Sequence, residues 1–221
     1  MQRTIKATGR GNMTIAPDTT RITIAVEKIY ADYETVVKKS AEHTGQLREA
    51  IAKAGLDPKD LKTTSFNINS EYEGYRDDND DWRRRFVGYK YEHAMNIEFP
   101  IDNEVLGRVL YQLMKCPVKV EFNIGYTVRN ANAVRADLLS KAVERAKADA
   151  EVIAKAAGVE LGEIITMDHS WSQLEIYSDV MRMEDATPGC DGFLEKRCLD
   201  IDIEPDDIHL DDTVTVVWEI A

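Results

Sequence analysis

The sequence predicts a fold that mixes strands with long helices, and three observations carry that prediction. Segments alternating apolar and polar residues recur from one end of the 221-residue chain to the other. Between them lie long stretches whose apolar residues repeat at helical spacing. Around the middle, two alternating segments flank a polar stretch, the pattern of an antiparallel hairpin. A chain of this length buries a core without staples, as one domain or two small lobes.

The elements follow in order. Ile22, Ile24 and Val26 alternate with polar neighbours and read as a half-buried strand. Tyr33, Val36, Val37, Leu47, Ile51 and Ala54 fall on one face of a long helix that Gly55 stops, with Gly45 an unfavourable residue inside it. Phe66, Ile68 and Tyr72 alternate against Ser65, Asn67, Asn69 and Glu71, giving a strand. A polar tip from Arg76 to Arg85 then leads into a second strand. There Val87, Tyr89, Tyr91, Met95, Ile97 and Phe99 share a face and Lys90, Glu92, Asn96 and Glu98 point away. The expected hairpin therefore has an unusually long tip.

Asp102 is placed to cap a helix carrying Val105, Leu106, Val109, Leu110 and Leu113, and Pro117 forbids its continuation. Val118, Val120, Phe122, Ile124, Tyr126 and Val128 give the cleanest strand alternation. A helix over about 133–157 follows, striped with Val134, Leu138, Ala142, Ala146, Ile153 and Ala157 and stopped by Gly158. Residues 161–169 read as a strand and 171–196 as an exposed arm or loop. Leu199, Ile201 and Ile203 alternate with acids before Pro205. The last strand buries Ile208, Leu210, Val214, Val216, Trp218 and Ile220, and Asp212 interrupts that apolar face.

Composition narrows the function classes. Lys+Arg number 28 against 40 Asp+Glu, a net charge of −12. Such a surface disfavours a nucleic-acid partner and an anionic membrane, because both are held by cationic contacts. No apolar run approaches the ~20 residues that span a bilayer, so no membrane insertion is expected. Cys116, Cys190 and Cys198 are too few for a disulfide framework. No leader with a basic start and apolar stretch precedes the first strand, so the chain as written reads as cytoplasmic; the other reading is a leader already removed.

No segment carries a complete catalytic set, and no cofactor is implied. Asp77-Asp78-Asn79-Asp80-Asp81 fails the calcium-loop pattern, since its sixth and twelfth positions hold Trp82 and Gly88. Trp82 with Arg83, Arg84 and Arg85 has the residue types of an interface anchor that docks a neighbouring subunit. Asp207, His209 and Asp211 share one strand face and are the candidate metal ligands, the basis of an alternative reading as a metal-assisted hydrolase. His93 sits on the apolar face of its strand and reads as a core histidine; His43 and His169 lack a surrounding pattern. Gly9-Arg10-Gly11 precedes a strand, where turn chemistry explains it better than phosphate binding. Cys116 reads as a small buried residue, whereas Cys190 and Cys198 flank a glycine loop and are the redox candidates of a thiol-responsive reading. Trp171, Tyr177, Met181 and Met183 have the adaptable apolar character of a docking surface.

Whole-chain features resemble the SIMPL domain family. They are Ile5-Lys6-Ala7-Thr8-Gly9-Arg10-Gly11, the Ala54-to-Thr63 junction, Gly88-Tyr89-Lys90-Tyr91, the run from Ala154 to Ile164, and the ending Thr213-Val214-Thr215-Val216-Val217-Trp218. The resemblance implies an α+β fold, with antiparallel sheets packed against long helices in two intertwined lobes, 1–62 with 131–221 and 63–130. It also implies a homo-oligomer, a protein partner and a link to oxidative-stress defence, and it brings no catalytic residue. The combined expectation is a non-enzymatic, self-associating binding or scaffold protein.

Overall fold

A computed structural model describes residues 3–169, 176–183 and 203–221, with residues 179–183 described through their backbone. The fold is α+β, with its strands in two antiparallel sheets. The described chain divides into two compact units. One, the terminal unit, contains residues up to Asp18, the described part of Thr127–Ser178, and Pro205–Ala221. The other, the central unit, contains Thr19–Tyr126 and the described part of Asp179–Glu204.

In the terminal unit β1 (Thr4–Ile15), β8 (Ile208–Ile220) and β6 (Leu161–His169) form a sheet with β8 in the middle. β1 and β8 pair in unbroken register from Thr4↔Glu219 to Ile15↔Ile208. Helix α3 (Ala131–Ala157) lies on one face. Its Asn130 side chain accepts from the Ala133 amide, and Gly158 ends it at φ +70°, the left-handed conformation glycine adopts without strain. Ala142, Ala146, Ala150 and Ala154 are buried against Ile5, Ala7, Val214, Val216 and Trp218. These small side chains let β1 approach so closely that a Cβ on Gly9 would stand 2.1 Å from the Ala142 carbonyl oxygen. Alanine at 150 and 154, rather than Ile153, faces the sheet; Ile153 is exposed.

Asp212 interrupts the apolar face of β8 because it has a partner there. His169 Nε2 on β6 lies 2.8 Å from its Oδ2, with both groups half-buried. A polar pair that satisfies itself tolerates burial that a lone carboxylate would not.

In the central unit the strand order is β3 (Lys62–Arg76), β4 (Trp82–Pro100), β2 (Thr19–Tyr30), β5 (Glu121–Thr127) and β7 (Ser178–Met183). Helices α1 (Tyr33–Lys53) and α2 (Asn103–Lys115) enclose a core that includes Ile22, Ile24, Leu47, Ile51, Tyr91, Met95, Ile97, Leu106, Leu113 and Ile124. Asp32 and Asp102 cap the two helices through their carboxylates. The sequence expectation of an irregular stretch over 171–196 is corrected in part, since Ser178–Met183 adds an edge strand.

Candidate functional site

The hairpin tip is far shorter than the sequence pattern predicts. β3 runs to Arg76 and β4 starts at Trp82, so only residues 77–81 turn. The Asp77 carboxylate accepts from the backbone amides of Asn79 and Asp81, and Asp80 takes a positive φ of 63°. These bonds close the turn and occupy Asp77, the first acid of the run that suggested a calcium loop.

The pairing of β2 with β4 ends at Tyr30↔Tyr89, so beyond that point β3 and β4 continue as a two-stranded arm. At its root the register shifts between Glu71 and Tyr72, leaving Val87 unpaired. Gly88 beside it has φ +156°, and a Cβ there would meet the Tyr30 carbonyl oxygen at 2.3 Å. A bulge of this kind bends and twists the strands that carry it.

Alternation gives the arm two unlike faces. On one, Arg85 donates to Glu73 at 2.7 Å and Arg83 to Asp77 at 2.9 Å, so the charges neutralise one another. The other begins beside Tyr33 and continues through Tyr89, Phe86 and Tyr72, packed edge to face with ring centroids 5.2–5.8 Å apart. The Arg84 guanidinium lies 5.4 Å from the Tyr72 ring centroid, and no carboxylate pairs with it among the described residues. The Trp82 ring lies against Gly74, where a Cβ would stand 2.6 Å from it, yet 70% of its surface is exposed. The sequence candidates Trp82, Arg83, Arg84 and Arg85 are thus divided: Trp82 and Arg84 share the aromatic face, and Arg83 and Arg85 belong to the ion-paired one.

The other candidates are placed as follows. His209 Nδ1 lies 2.9 Å from the Thr14 hydroxyl and Asp211 meets Arg10 at 3.1 Å, so two members of the metal set are turned to β1. Among the described residues no three His, Cys, Asp or Glu side chains converge as a metal site would require. Tyr177 is half-buried; Met181 and Met183 lie on β7; Trp171, Cys190 and Cys198 lie outside the described residues. Cys116 is buried, which raises its thiol pKa and keeps it protonated.

Sequence reasoning missed a buried polar cluster beneath α1. His43 Nδ1 bonds the Tyr91 hydroxyl. His93 Nε2 lies 2.8 Å from the Thr63 hydroxyl, and its Nδ1 is 3.4 Å from that of Thr44. Burial holds both imidazoles below their ordinary pKa, with nearby cations acting in the same sense. The sequence signal was His93 on an apolar face with threonines on the neighbouring elements.

A second surface feature was also missed. In the terminal unit a groove of about 610 Å³ runs between α3 and β6, lined by Val143, Lys147, Glu151, Glu163, Ile164 and Met167 among others.

Comparison with known proteins adds family context. The family model described as SIMPL, protein of unknown function (DUF541), matches residues 5–218. The chain is 26% identical over 162 residues to a 26 kDa periplasmic immunogenic protein of Brucella melitensis biotype 1, and equally to that of Brucella abortus strain S19. Each match covers 73% of this chain and 64% of the relative, so less than two thirds of those proteins is spanned.

Proposed function

The chain belongs to the SIMPL family, and from that premise we propose that it is a non-enzymatic binding or scaffold protein whose β3–β4 arm docks onto protein surfaces, those of its own copies first. The observation that carries this reading is the arm's aromatic face. Trp82, Phe86 and Tyr72 are 70%, 46% and 48% exposed, with Arg84, which makes no ion pair among the described residues, beside the Tyr72 ring. Exposing so many aromatic residues on one narrow ribbon costs solvation without serving the core. Trp, Tyr and Arg are also the side chains that dominate interface energetics.

The net charge of −12 opposes close association at long range, so docking depends on local apolar contact and a few matched charges. The test is absolute mass by light scattering coupled to size exclusion, comparing the natural chain with Trp82→Ala/Phe86→Ala. A concentration-dependent oligomer that the double variant abolishes supports the reading. A natural chain that elutes at 25.0 kDa at every concentration overturns it.

The names of the Brucella relatives support a periplasmic setting for this protein in place of a cytoplasmic one. Among the described residues no helix is long and apolar enough to cross a membrane. Cell fractionation of the full-length gene product decides the compartment: recovery with cytoplasmic markers would reject the periplasmic setting.

A further inference from the structure

The groove in the terminal unit exists because one helix covers too few strands. α3 packs on β1 and β8 and barely reaches β6. Among the described residues the α3-facing side of β6 is therefore open, and Ile164 and Met167 are 54% and 48% exposed where a second layer would normally bury them. Val216 and Trp218 flank the floor and Val143 forms part of the wall. At about 610 Å³ the groove falls in the range that encloses a compact apolar ligand.

Its rim is charged unevenly. Glu151 has Lys147 at 3.9 Å, a loose contact, whereas Glu163 makes no ion pair among the described residues. An occupant suited to this groove carries bulky apolar groups for the floor and a cation for Glu163. The aromatic face of the arm has both, in alternate positions of one strand: Trp82, Arg84 and Phe86. Among the described residues its cation, like the groove's anion, makes no ion pair.

We infer that the α3–β6 groove receives the β3–β4 arm of a second copy of this chain, with Trp82 and Phe86 on the apolar floor and Arg84 against Glu163. The inference rests on the scaffold reading and specifies its contact. Arm and groove are different surfaces, so the contact is heterologous: each copy offers an arm to one neighbour and a groove to another. Such contacts propagate into a ring if the rotation closes and a filament if it does not.

The experiment is light scattering with size exclusion on the full chain, with far-ultraviolet circular dichroism confirming the fold of each variant. Arg84→Glu and Glu163→Arg should each reduce the assembly to single chains near 25.0 kDa, and the two changes in one chain should restore it. Mixing Trp82→Ala/Phe86→Ala, which keeps its groove, with Glu163→Arg, which keeps its arm, should give a species of two chains and no larger. Met167→Glu, on the groove floor, is the second groove variant if Glu163→Arg disturbs the fold. If groove variants assemble like the natural chain while arm variants do not, the arm docks elsewhere; this inference then falls and the scaffold reading stands. If arm variants also assemble normally, or the natural chain never assembles, both fall.

Discussion

Gly9 and Gly45 show how differently one residue type acts in this chain. A methyl on Gly9 would stand 2.1 Å from the Ala142 oxygen and 2.2 Å from the Ala146 nitrogen, both backbone atoms that side-chain rotation cannot clear. Gly9→Ala is expected to cost about 3 kcal/mol or more as β1 is pushed off α3. Gly45, inside α1, has nothing within 4 Å of the same position. Gly45→Ala should stabilise by about 0.5–1 kcal/mol, the usual gain from alanine over glycine in a helix. Denaturant midpoints of the two variants should therefore move in opposite directions, and a shared direction would contradict the packing described. His93 supplies a pH dependence. Its neutral ring is held between hydroxyls, with Arg48 opposing protonation; at His43, Lys28 and Lys39 oppose it and Glu42 favours it. Both native pKa values lie below the ordinary 6.5, so the unfolded chain takes up protons first. Stability is full above about pH 6.5 and declines as pH falls through the native values. The denaturant midpoint should drop between pH 7.5 and 5, and His93→Gln should lessen the drop. An equal drop in that variant would assign the effect to other groups.

At the scale of elements the arm adds no buried residue to the core: Tyr72–Arg76 and Trp82–Val87 are all exposed. Replacing residues 73–85 by a two-residue turn should alter stability by no more than about 1 kcal/mol, as changes to exposed segments usually do, while removing assembly. A large loss of stability would mean the arm is part of the core after all. Strands and helices were legible in the sequence where apolar spacing and stop residues agreed, as with Gly158 after α3 or Asp102 before α2. The arm was misread as a long loop because Arg83, Arg84 and Arg85 look like a solvated charge run. Cross-strand pairing of Arg85 with Glu73, and stacking of Arg84 on Tyr72, keep those residues in the ladder. The alternation of Trp82, Arg84 and Phe86 was the available signal. The groove was not legible at all. Ile164 and Met167 read as an ordinary strand, and no local pattern says that the helix will pass beside them instead of over them.

For the whole molecule, charge sets how association responds to salt. Copies carrying −12 repel over the ~30 Å Debye length of 0.01 M salt and much less over the ~8 Å of 0.15 M. A contact pair a few ångströms apart is screened far less over the same range. Assembly should therefore strengthen as ionic strength rises to about 0.15 M and then level off, a trend sedimentation velocity can follow. Steady weakening from the lowest salt would mean attraction between unlike charges dominates at long range. The root of the arm has a further consequence, for how this architecture diversifies. Val87 and Gly88 form a seam where the sheet's register ends and the ribbon's begins. Outside the seam, removing one residue from each strand exchanges the two faces, whereas removing two from each preserves them. Relatives that keep this seam can therefore acquire new partners by shortening, lengthening or recolouring the ribbon in matched steps of two, leaving the body that carries it untouched.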